Sequence, residues 1–187
     1  MREKIISRVT NRIRDPKPLL RRFGLQFYAD KIFLEHTNNK VIAGPFSGLE
    51  FPITRFRSRV EKIKIAKLIL GTYEKELGPL ITRLSKHHFD QIVNVGASIG
   101  YYAVGSALTW PDANVVAYEE REEAQTILNE LASVNGVSNQ LDTKGFCDVD
   151  SLCSSLKDVE KCLVFMDVEG GEKELLNPTE ILYNVVF

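Results

Sequence analysis

Apolar residues change their rhythm along this chain near residue 91. Beyond it they gather in short, nearly continuous runs: "QIVNV" (91–95), "NVVAY" (114–118), "QLDTKGF" (140–146), "CLVFMD" (162–167) and "NVVF" (184–187). Between the runs, residues 101–109, 122–134, 150–157 and 171–176 carry a helical spacing. Apolar strands alternating with helices predict a parallel sheet covered on both faces. Right-handed crossovers then make it a doubly wound, mostly parallel α/β sheet.

The first 90 residues are patchier. Residues 2–14 place Ile5, Ile6, Val9 and Ile13 on one helical stripe with Arg2, Lys4, Arg8, Arg12 and Arg14 around it, and "DPKP" ends that helix. Residues 31–44 read as a hairpin, with Ile32 and Leu34 alternating and "TNN" as the turn. Residues 58–70 are expected to be helical, and a second helix is expected to begin near Thr72 and to kink or restart at Gly78-Pro79. The chain thus divides into a basic α+β extension over 1–57 and an α/β domain over 58–187.

Composition refines this picture. At 44% hydrophobic and 26% charged, the 187 residues are those of a globular domain large enough for a real core. No apolar run approaches the ~18–20 residues of a membrane span. "MREKIISRVTNRIRD" has no apolar core of a secretory signal, so a cytoplasmic protein is expected. Cys147, Cys153 and Cys162 form no CxxC pair and are expected to be reduced thiols. Net charge is −1, yet residues 1–90 carry 19 Lys/Arg against 9 Asp/Glu, and the rest 5 against 16. The basic half is a solvated face, a complement to the acidic half, or a surface for an anionic acceptor or nucleic acid. The amphipathic helix would dock on its own domain or on a second copy, which leaves a homodimer open.

Candidate chemistry collects where ligands of such sheets bind, outside the carboxyl ends of the strands. Four polar or glycine-rich segments fall there: Asn94–Gly100, Glu119–Glu120, Gly145–Asp148 and Asp167–Glu172. The first, around Gly96, Ala97, Ser98 and Gly100, packs small residues into a strand-to-helix turn. There a ligand could approach the backbone, and helix-start N–H groups could meet an anion. Glu119 lies 19 residues past Gly100 at the next strand end, where a carboxylate can accept both hydroxyl protons of a ribose. "GASIG" misses the dinucleotide spacing G-x-G-x-x-G, and a Walker lysine is absent.

These segments together resemble the FkbM-like family of class I S-adenosylmethionine-dependent methyltransferases. "VFMDVEGGEKELL" is similar to that family's "DVEG-x-E" signature, and "NVGASIGYYA" and "VVAYEE" to its "DVGANIGYYT" and "VYAFEP" segments. The resemblance covers roughly residues 91–176 and implies a Rossmann-like methyltransferase fold with S-adenosylmethionine as cofactor. It implies that the backbone of Gly96, Ala97, Ser98 and Gly100 holds the methionine portion, with Asn94 toward its amino group. By the same resemblance Glu119 grips the ribose, Phe146 and Cys147 flank the adenine, and Asp167 lies near the sulfonium and the acceptor. The sequence departs from the pattern at Asn94, where an acid is usual, and at "GFCD", which lacks the acid that often meets the adenine amine. The family's sheet also continues for two strands past "NVVF", so either a longer chain or cover of the sheet edge by the N-terminal hairpin is expected.

Methyl transfer requires in-line positioning and, for a hydroxyl acceptor, a base. Asp167 and Glu169 are the candidate catalytic carboxylates, with capping of the helix at 171–176 as their alternative role. Asp167, Glu169 and Glu172 are also oxygen donors of a type suited to Mg²⁺, but solvated carboxylates on one turn are common and no metal is expected. His87 and His88 fall either on the surface or on the acceptor side. "DVEG" occupies the place where base-modifying enzymes carry an "NPPY"-like stretch, which disfavours nucleobases. The resemblance implies O-methylation of a small-molecule, sugar or lipid-linked hydroxyl. An RNA methyltransferase using the basic half, and a non-catalytic cofactor-binding module, remain the competing expectations.

Overall fold

A computed structural model describes residues 37–52, 65–168 and 170–176. The expected N-terminal helix, the first strand of the hairpin, Glu169 and the "NVVF" run lie outside the described residues.

Helix α1 (Gly78–Leu84) leads into β1 (Gln91–Val95), α2 (Tyr101–Thr109), β2 (Asn114–Tyr118) and α3 (Glu122–Val134). A 3-10 turn (Ser138–Gln140) then precedes β3 (Leu141–Lys144), α4 (Val149–Leu156), β4 (Cys162–Met166) and the single turn α5 (Glu172–Leu175). The four strands form one open parallel sheet in the order β3-β2-β1-β4. Gln91 pairs with Asn114 on one side and with Cys162 on the other, so the carboxyl ends of β1, β2 and β4 finish level. After β3 the chain returns past β2 and β1 to lay down β4. The crevice between β1 and β4 is therefore the topological switch point, where sheets of this kind open to ligands.

Both faces are covered, as the apolar runs predict. Ile92 on one face joins Phe46, Leu49, Phe51, Ile69, Val104, Leu128 and Leu131 in the larger core. Val93 and Val95 on the other face join Val116, Tyr118, Leu152 and Leu156. Ile92, Val93 and Val95 are at most 1% exposed, and each contributes roughly 1.5–3 kcal/mol of hydrophobic stabilisation. Tyr118 Oη donates to the Ser151 carbonyl at 2.9 Å and lies 2.7 Å from Ser155 Oγ, which ties α4 to the end of β2.

Two local expectations are corrected. No helix begins at Thr72: residues 73–77 form turns, Glu74 has a left-handed φ of 41°, and the helix starts at Gly78 with Pro79 in its first turn. Proline suits that place because its missing N–H would have no partner there. The third strand stops at Lys144, and its alternating half-exposed pattern is that of a strand paired on one side only among the described residues. Around the expected hairpin, Asn38 and Asn39 do take the left-handed turn conformation. The antiparallel bridge there joins Lys40 to Glu50.

Candidate functional site

The turn after β1 is held from within. Gly96 N–H and Ala97 N–H both donate to the Tyr118 carbonyl, at 3.0 and 2.8 Å, which fastens the turn to the end of β2. Gly96 has φ 78°, and a Cβ there would fall on the carbonyl oxygen of Asp167 in the neighbouring segment. Gly100 has φ 92°, and its Cβ would come 2.8 Å from Leu128 Cγ of α3. Both glycines are thus demanded by close approach of the protein to itself, and neither needs a ligand to explain it. Gly105 serves packing as well: a Cβ there would meet the Phe46 ring. The N–H groups of Gly96, Ala97, Ser98 and Gly100 are all engaged inside the protein. Those four N–H groups brace the turn internally. Helix α2 begins without a side-chain cap.

Ser98 N–H donates to Glu119 Oε2 at 2.7 Å, so the turn faces the strand-end carboxylate as expected. Glu119 is 7% exposed. Its Oε1 accepts Arg121 N–H at 3.0 Å and Arg121 Nε at 2.8 Å. Burial alone would raise its pKa, but the hydrogen bonds from Arg121 and Ser98 and the nearby guanidinium outweigh burial and hold it below the usual carboxylate range. An ionised, nearly buried carboxylate thus stands beside the turn. A carboxylate offers about four acceptor positions, and three are filled. Arg121, which sequence reasoning passed over, holds the one that a ribose hydroxyl could reclaim by displacing a side chain. The only sequence signal was an arginine two residues past the strand-end acid, a spacing that becomes contact only once the chain turns into α3.

Beside Glu119 the carboxyl ends of the strands enclose a cavity of about 480 Å³. Gly96, Glu119, Phe146, Cys147 and Asp167 all line it, five residues that four separate strand ends bring together. A volume of this order is that of a typical small-molecule site. Phe146 is 70% exposed on the rim and offers an open ring face. Cys147 lies beneath it, and burial pushes its thiol up to about 11. Asp148, which also lines the cavity, caps α4, accepting Ser151 N–H at 2.8 Å. Ala97, Ser98 and Gly100 do not line it, and neither does Asn94. The Asn94 side chain is buried in β1, with a long 3.5 Å bond to the Phe165 carbonyl and no partner for Oδ1 among the described residues. An orphaned buried acceptor costs about 1–3 kcal/mol.

After β4, Asp167 N–H donates to the Val95 carbonyl at 3.0 Å, holding that segment against β1. Glu172 staples the following loop, accepting Val168 N–H at 3.0 Å and Gly170 N–H at 2.9 Å. Those bonds and that of its own N–H hold its pKa low. Glu172 is therefore a carboxylate that organises this turn, a role the sequence reading had offered to Asp167 and Glu169. His88 pairs with Asp90 at 3.2 Å on the surface, at the amino end of β1 and so at the opposite edge of the sheet from the cavity.

No protein-family profile and no curated protein sequence matches this chain. Solved structures do. A methyltransferase from Podospora anserina, PaMTH1, bound to SAH, is 16% identical over 84% of this chain and 64% of its own, with a TM-score of 0.49. A proposed caffeoyl-CoA O-methyltransferase from Staphylococcus aureus is 16% identical over 67% and 63%, with a TM-score of 0.47. The O-methyltransferase TomG from Streptomyces achromogenes, in complex with SAM, is 15% identical over 46% and 40%, with a TM-score of 0.39. The chain spans less than two thirds of the length of each of these three structures, and its likeness to them is one of overall chain path.

Proposed function

We propose that this chain binds S-adenosylmethionine across the strand-end cavity and serves methyl transfer to a hydroxyl group of a small-molecule, sugar or lipid-linked acceptor, in the manner of the FkbM-like methyltransferases. The observation that carries the reading is the ionised Glu119 carboxylate, locked to the Gly96–Gly100 turn and opening on the same cavity as Phe146 and Asp167. A nucleoside needs such a set: an acceptor pair for ribose hydroxyls, an apolar face for the base and a polar far wall. Glu119 would hold the ribose once Arg121 turns outward, and the Phe146 ring with the Cys147 backbone would cover the adenine. The methionine portion would lie along the Gly96 end of the cavity, toward Asp167. The cofactor supplies an electrophilic methyl group. The protein's part is to hold the acceptor oxygen in line with it and to exclude water. Asp167, among the carboxylates lining the cavity, would be the proton acceptor.

Incubation with S-adenosylmethionine labelled in its methyl group tests this directly, using separate pools of sugars, lipids, small hydroxylated aromatics and RNA. Label transferred to a hydroxyl acceptor supports the reading. Label in RNA bases, or firm cofactor binding with no transfer to any pool, replaces it with one of the competing functions.

A further inference from the structure

A second cavity, of about 470 Å³, lies beside the start of α2, lined by Tyr101 and Tyr102. Phe46, Tyr73, Tyr101 and Tyr102 give it an aromatic wall, alongside groups from 44–45, 71, 78–79 and 81–82. Their rings stand against each other in a connected cluster. Phe46 meets Tyr101 edge-on at 5.2 Å and Tyr102 at 5.8 Å, while Tyr73 lies 6.0 Å from Tyr101 and 6.5 Å from Tyr102. Glu74 is the carboxylate of this wall, and the Tyr102 hydroxyl donates to its Oε2. No cation stands within ion-pair distance of Glu74 among the described residues, although Lys75 also lines the cavity.

The backbone supports a built position. Glu74 holds a left-handed φ of 41°, a conformation that costs a non-glycine residue about 1–2 kcal/mol and persists only where its surroundings enforce it. Burial raises the pKa of all three tyrosines, Tyr101 to about 12, and Glu74 raises each further. All three phenols are therefore neutral at ordinary pH, with their ring faces as the local negative surface.

We infer that this cavity is a binding site for an organic cation, a protonated or quaternary amine, seated against the tyrosine rings and paired with Glu74. Cations of this kind are attracted both by ring faces and by a carboxylate, and they lose less on leaving water than compact ions do. The cavity adjoins the first site through β4: Tyr102 stacks on Phe165 at 5.3 Å, two residues before Asp167. That the bound amine is one end of the methyl acceptor rests on the proposed methyl transfer; the binding itself does not.

The test compares three probes of nearly equal shape by calorimetric titration of the full chain: choline, its neutral isostere 3,3-dimethyl-1-butanol, and the anion 3,3-dimethylbutanoate. Choline is expected to bind about tenfold or more tightly than the alcohol, with the anion weaker still. Glu74→Gln, which keeps a partner for the Tyr102 hydroxyl, and Tyr73→Leu, on the cavity's exposed rim, should each weaken choline about fivefold or more. Equal binding of choline and the alcohol, preference for the anion, or no choline binding at tens of millimolar would each overturn the inference. A parallel titration with S-adenosylmethionine separates the two claims, since the cofactor site shares none of the residues changed.

Discussion

Replacing Gly96 by alanine distinguishes a turn shaped by the protein from a turn shaped for a ligand. At φ 78° an alanine carries about 1–2 kcal/mol of backbone strain. Its Cβ would also meet the Asp167 carbonyl, which belongs to backbone already fixed by the bond from Asp167 N–H to the Val95 carbonyl. Backbone cannot swing aside as a side chain can, so the clash is relieved only by parting β1 from the chain beyond β4. Overpacking of that kind costs about 1–3 kcal/mol. Alanine restricts the unfolded chain and returns about 0.4–1 kcal/mol. The expected loss is about 2–4 kcal/mol. Gly136 is the internal control, with φ 70° and nothing within 4 Å of its Cβ, so Gly136→Ala should show backbone strain alone, about 1 kcal/mol or less. Urea unfolding of both variants, read at unchanged m-value, gives the comparison. Should Gly96→Ala prove as stable as Gly136→Ala while losing cofactor binding, the internal-packing argument for this glycine would be wrong.

Arg121→Ala should cost stability by no more than about 1 kcal/mol, because the arginine is 68% exposed and screened. The same change should tighten cofactor binding about two- to fivefold by clearing one acceptor position on Glu119; weaker binding would make Arg121 a cofactor ligand instead of a competitor. Glu119 itself, with its folded pKa held low, contributes stability that is present above the unfolded value of about 4.3 and is lost as pH falls through the folded value. Acid unfolding of Glu119→Gln should accordingly show a shallower pH slope than wild type below about pH 4.3, and parallel slopes would refute the assignment. Phe146→Ala should leave stability within about 0.5 kcal/mol, since the ring is 70% exposed, yet weaken adenosine binding by about 0.5–1.5 kcal/mol. Cys147 and Cys162, both pushed up to about 11 by burial, should resist a thiol reagent at pH 8 in the folded protein and react on unfolding, as timed absorbance would show.

Much of the α/β core was legible because its elements obey one rule each. Strands β1 and β2 and helices α2 and α3 fall on the residues the apolar pattern marks, since strands buried on both faces leave no room for ambiguity. The third strand was read too long because its half-exposed "LDTK" obeys a weaker, alternating rule. The five cavity residues on four strand ends were legible for a topological reason: parallel strands deliver their carboxyl ends to one edge. What stayed hidden depends on contacts far apart in sequence. Nothing near Gly105 foretells Phe46, nothing near Gly96 foretells the Asp167 carbonyl, and the aromatic cavity needs residues from 46, 73 and 101 to meet. The left-handed Glu74 likewise defeats a helix start read from Thr72 onward, because good first-turn composition cannot reveal a single reversed φ.

The account stands on Glu119 as the seat of a nucleoside. Calorimetric titration of the intact chain with S-adenosylhomocysteine, wild type beside Glu119→Ala, addresses that most directly. Saturable one-to-one binding by wild type, weakened in the variant by roughly 1–3 kcal/mol, is the predicted result. Wild type that takes up no ligand at millimolar concentration, or a variant that binds as tightly as its parent, would contradict it.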